Sequence, residues 1–109
     1  MWLFTTIGFF SVVEDPGHPD TLKIRARARE DLAALRDGYL PDIELIETDH
    51  TDYRFRAIVR RDEWAHAAHA LAVAIDYPNF KSAVAERQGH KRAGRYARVW
   101  EVMYGLQRN

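Results

Sequence analysis

The sequence predicts an α+β fold: a ferredoxin-like four-stranded antiparallel sheet in ββαββα order, with helices on one face and two extra C-terminal helices. Three observations predict it. Residues 21–28, "TLKIRARA", and 53–60, "YRFRAIVR", alternate apolar and charged residues with the period of two that a half-buried strand requires. Residues 30–38, 62–75 and 91–106 instead space their apolar side chains at helical intervals. Clusters of Pro, Gly, Asp and Asn punctuate the chain between these segments.

The elements follow in order. Residues 2–13, "WLFTTIGFFSVV", are rich in Thr, Ile, Phe and Val and read as one strand. The turn cluster "EDPGHPD" (14–20) leads to the second strand, 21–28. A short helix over 30–38 places Leu32 and Leu35 on one face and stops at Gly38. "IELIE" (43–47) reads as a third strand and "TDHTD" (48–52) as a polar connection of hairpin size. In the fourth strand, 53–60, Tyr53, Phe55, Ala57 and Val59 share one face, opposite Arg54, Arg56, Ile58 and Arg60. Asp62 is expected to cap a helix that runs to Ile75 and packs on the sheet through Trp64, Ala68, Leu71, Ala72 and Ile75. Asn79 caps a third helix over 80–88, and Gly89 separates it from the last, over 91–106. A right-handed crossover with the fourth strand inserted beside the second gives the expected sheet order 1-2-4-3.

With 109 residues, the chain is expected to form one domain, its last part (80–109) a basic helical extension. It contains no cysteine, which excludes disulfides, thiolate catalysis and Cys-type zinc sites. The apolar opening has no preceding Lys or Arg and ends in Glu14-Asp15-Pro16, so it is read as a strand of a cytoplasmic protein and not as a signal peptide or membrane span. Net charge is zero, but it is unevenly spread. Residues 1–79 hold 9 Lys or Arg against 14 Asp or Glu, and residues 80–109 hold 7 against 2. Such segregation points to an anionic partner better than total charge does, although the two parts could also attract each other.

The two arginine-rich strands carry the functional expectation. If they are neighbours with their apolar faces toward the helices, Lys23, Arg25, Arg27, Arg54, Arg56 and Arg60 share the opposite face. By parity Trp2, Phe4 and Phe10 of the first strand join them. Aromatic rings interleaved with guanidinium groups suit single-stranded RNA or DNA, whose bases stack at about 1–3 kcal/mol each while arginines hold the phosphates. Arginine on a strand can also simply be a solvated face with its stem packed on neighbours. At the C-terminus Arg87, His90 and Arg92 gather near Gly89, where a helix N-terminus could seat a phosphate. Tyr96, Trp100 and Tyr104 are read as core because they follow the apolar stripe of the last helix.

No catalytic residue, cofactor or metal site is assigned. His66 and His69 lie three apart but lack a third ligand at a telling spacing. No GxGxxG, P-loop or GxSxG is present. The opening "MWLFTTIGFFSVV" and the later "IDYPNFKSAVAERQGH" and "YARVWEVMY" resemble a set of small bacterial proteins to which no activity is assigned. The resemblance covers most of the chain and implies no binding or catalytic residue. The sequence therefore points first to a non-enzymatic polyanion binder that takes single-stranded RNA or DNA. Behind it stand an enzyme or binding protein for a small phosphorylated or carboxylated metabolite, with His90 as proton carrier, and a homodimeric interaction module; no membrane partner is expected.

Overall fold

A computed structural model describes residues 1–108. It is a mixed α+β structure with one antiparallel sheet of five strands and four helices. The chain forms two compact units. The first comprises Met1–Phe4 and Gly8–Ile75, the second Thr5–Ile7 and Asp76–Asn109.

The first unit holds the whole sheet, in spatial order β1-β2-β3-β5-β4. Its strands are β1 (Trp2–Phe4), β2 (Phe9–Asp15), β3 (His18–Ala26), β4 (Ile46–Glu47) and β5 (Phe55–Arg60). Helix α1 (Arg29–Gly38) packs against β2, β3 and β5, and α2 (Arg61–Val73) against β3 and β5. Under them Phe10, Val12, Leu22, Ile24, Ala26, Ala57 and Val59 are buried from the sheet, and Leu32, Leu35, Trp64 and Ala67 from the helices. Fully burying a side chain the size of Leu or Ile stabilises the fold by about 1.5–3 kcal/mol, so this layer is its main support.

The single first strand expected over residues 2–13 is a hairpin. β1 pairs antiparallel with β2, with Trp2 opposite Ser11 and Phe4 opposite Phe9. The intervening Thr5–Gly8 segment turns because Thr5 Oγ1 accepts the Ile7 N–H at 3.2 Å. Gly8 then passes against α1: a Cβ there would lie 2.6 Å from both Cβ and Cγ of Asp31. Asp31, 4% exposed, accepts the Phe9 N–H at 2.9 Å and so ties the hairpin to the helix. The turn cluster before β3 contracts to Asp15-Pro16-Gly17-His18, where Gly17 takes φ +82, a left-handed conformation that favours glycine.

Two further expectations change. β5 begins at Phe55, and Tyr53 precedes it in a loop closed by the Thr48 N–H on the Arg54 carbonyl at 2.8 Å. Tyr53 therefore does not follow the strand's alternation. On α2, Arg60 and not Asp62 occupies the cap position. The helix ends at Val73 and buries Trp64 and Ala67, leaving Ala72 and Ile75 exposed.

In the second unit α3 (Phe80–Gln88) and α4 (His90–Arg108) are joined by Gly89, whose φ of +94 breaks the helix. Asn79 caps α3 by accepting the Ser82 N–H at 2.9 Å. The rings of Phe80 and Tyr96 stack at 5.7 Å beside buried Ala83 and Val84. Thr5–Ile7 is held here by its Thr5 carbonyl, which accepts from Gln88 Nε2 at 3.0 Å and from the Tyr96 hydroxyl at 3.3 Å. Of the three α4 aromatics expected in the core only Tyr96 is buried; Trp100 is 54% exposed and Tyr104 38%. The reason is length: at 1.5 Å per residue α3 spans about 14 Å and α4 about 28 Å, so α3 cannot cover the end of α4.

Candidate anion-binding face

The strand register assembles the candidate site on the sheet face that α1 and α2 leave uncovered. One row of paired residues crosses the whole sheet: Trp2, Ser11, Arg25, Arg56, Ile46. A second row holds Val13, Lys23 and Ile58. The expected adjacency of the two arginine-bearing strands is present, and it sets Arg25 directly opposite Arg56.

That pairing is electrostatically unusual. Like charges directly opposite each other on antiparallel strands are destabilising, since their Cβ atoms lie only about 4.5–5.5 Å apart. Among the described residues no carboxylate comes within ion-pairing distance of Arg25 or Arg56. Both Nε atoms are buried without a hydrogen-bond partner. Arg25 spends one Nη on Ser11 Oγ, at 2.7 Å. Its guanidinium carbon lies 4.5 Å from the centre of the Tyr53 ring, and that of Arg27 lies 4.4 Å from the same ring. Tyr53 is 2% exposed. Cation–π contact of this kind fixes the guanidinium planes without neutralising them.

The remaining expected cations divide. Lys23 is half-buried on the same face, between Val13 and Ile58. Arg27 is exposed and donates its Nε to the Asp52 carbonyl at 3.1 Å. Arg54 is engaged by Glu47 at 2.7 Å and by Asp49 at 3.8 Å. Arg60 is engaged by Asp62 at 3.0 Å and by Glu63 at 4.0 Å. The hydrogen bond between Arg60 and Asp62 raises the arginine above its ordinary pKa and holds the carboxyl below the usual carboxylate range. Arg54 and Arg60 thus belong to internal ion pairs, supplied by acids just before and after β5.

The aromatic contribution also differs from expectation. Trp2 stands 66% exposed at the head of the arginine row. Phe4 stacks on Phe9 at 4.6 Å, so one of its faces is already covered. Phe10, expected here, is fully buried on the helix side, because the turn before β2 resets the alternation and puts Phe9 in its place. Phe9 also touches the rings of Trp2 and Tyr53, at 5.9 and 6.4 Å. Ser11, Phe9 and Tyr53 were missed from the sequence. A polar Ser11 inside the apolar run FFSVV was the one available signal for the Arg25 contact; the structure buries it to 1% exposure.

Arg87, His90 and Arg92 lie in the second unit. Arg87 pairs with Asp76 at 2.6 Å, which raises its pKa further, and reaches Thr6 Oγ1 at 3.5 Å. His90 opens α4 and is exposed, while Arg92 is half-buried with its guanidinium carbon 5.9 Å from the centre of the Tyr96 ring. Among the described residues no three His, Cys, Asp or Glu side chains cluster as metal ligands, and no helix is long and apolar enough to cross a membrane. Comparison with known protein families, with curated proteins and with solved structures finds no match to the chain.

Proposed function

We propose that the sheet face opposite α1 and α2 binds a polyanion, with single-stranded RNA as its leading occupant. The observation that carries this reading is the Arg25–Arg56 pair: two guanidinium groups on facing positions of neighbouring strands, with no carboxylate within ion-pairing distance among the described residues. A bound phosphate would supply the missing counter-charge and accept from both side chains. Trp2 heads the same row, two strands from Arg25, and strands lie about 4.8 Å apart, so a base on its indole and a phosphate at the arginines are separated by roughly 10 Å. The reaction is binding alone.

Fluorescence anisotropy with a labelled single-stranded RNA tests it. The wild-type chain should bind at low salt and weaken as salt rises, while Arg25→Ala/Arg56→Ala should lose at least tenfold in affinity. An unaffected double variant, or no binding at low salt, contradicts the proposal. A second reading is a small phosphorylated or carboxylated metabolite at the same pair, since a single oxyanion could accept from two facing guanidinium groups. Under that reading inorganic phosphate at low concentration abolishes the RNA signal.

A further inference from the structure

The end of α4 presents apolar side chains that the second unit leaves largely exposed, although Lys81 of α3 covers Trp100 in part, lying 4.7 Å from its ring centre. Val102 is 76% exposed, Leu106 74%, and Met103 and Trp100 54% each. Val99, Met103 and Leu106 repeat at the three- and four-residue spacing of a helix contact seam, and Val102 flanks it. Contiguous exposed apolar surface rimmed by polar groups marks an interaction site. Its rim is cationic. Arg95 and Arg98 are exposed on the same helix, Arg108 lies 4.6 Å from the Tyr104 ring centre, and Glu101 is the one acid from His90 to Arg108.

The first unit carries a surface of the opposite kind. The end of α1 and the start of α2 border a shallow groove of about 420 Å³. Tyr39, Leu40 and Pro41 give it an apolar floor, and Asp42, Asp62 and Glu63 an acidic rim. Arg60 offsets Asp62 and Glu63 in part, whereas Asp42 has no ion-pair partner among the described residues. The same polarity holds for the units as wholes. The first has nine Lys or Arg against thirteen Asp or Glu, and the second seven against three.

We propose that α4 of one copy of this chain docks in the α1–α2 groove of a second copy. An apolar helix face bordered by cations meets an apolar groove bordered by carboxylates. Pairing α4 with α4 would instead bring together two helices of the same positive sign. Charge of this sort selects the partner and speeds encounter, while the apolar contact supplies the affinity. The inference is independent of the anion reading, which uses the other face of the sheet.

Sedimentation velocity at high micromolar protein tests it with two surface variants, each first shown to keep the wild-type circular dichroism. Wild type should sediment above the monomer mass. Met103→Asp/Leu106→Asp, which spoils the helix, and Asp42→Arg/Glu63→Arg, which spoils the groove, should each be monomeric. Mixing the two should restore a dimer, because one intact helix then meets one intact groove. A monomeric wild type overturns the proposal. So does a mixture that stays monomeric, or a groove variant that associates as well as wild type.

Discussion

Gly8 and Tyr53 show how single residues set the geometry of this molecule. Gly8 lacks a side chain because Asp31 fills the space that one would need. Gly8→Ala should therefore push Asp31 away and cost the buried bond it accepts from Phe9, about 1–3 kcal/mol of stability. Urea denaturation checks this, and an unchanged midpoint would mean that the hairpin is not held by Asp31. The glycine was visible in the sequence, but its reason was not, since its neighbour Asp31 is distant along the chain and belongs to a helix. Tyr53 is the opposite case. Alternation put it on the buried parity with Phe55, yet it stands before the strand begins, where a loop frees its ring to lie against Arg25 and Arg27. Local periodicity describes residues inside an element and fails one or two positions outside it.

Among the elements, the two strands that alternate apolar and basic residues, β3 and β5, were legible, and so were the capped helix α3 and the Gly89 break. The β1–β2 hairpin was not, because Thr5, Thr6 and Ile7 are good strand formers and only their tertiary contacts turn the chain. The exposed end of α4 was misread because helical spacing shows that a face is apolar without showing that anything covers it. At the β5–α2 junction Asp62 joins two elements through Arg60. Its folded-state pKa is depressed, so its contribution is present above the unfolded carboxylate pKa and is lost as pH falls through the folded value. Asp62→Asn should thus be less stable than wild type near neutrality, and the difference should vanish in acid. Both groups are exposed, so the effect is small. A difference that persists below the carboxylate range would show that Asp62 acts through something other than its charge.

At the scale of the whole molecule, a chain with zero net charge distributes its carboxylates unevenly around the arginine-bearing strands. Arg54 and Arg60 receive carboxylates from flanking segments, whereas Arg25 and Arg56, facing each other across β3 and β5, receive none among the described residues. Leaving like charges opposite each other lowers stability, and burying their Nε atoms without partners adds to that cost. If the pair binds an anion as proposed, stability and binding oppose each other at one residue. Arg56→Met keeps the stem and removes the charge. The melting temperatures of wild type and Arg56→Met, each with and without a short single-stranded RNA at low salt, bear on this most directly. The variant should melt no lower than wild type when alone, and RNA should raise the melting temperature of wild type only. A variant that melts well below wild type and is still raised equally by RNA would make Arg56 a structural residue and place any anion site elsewhere.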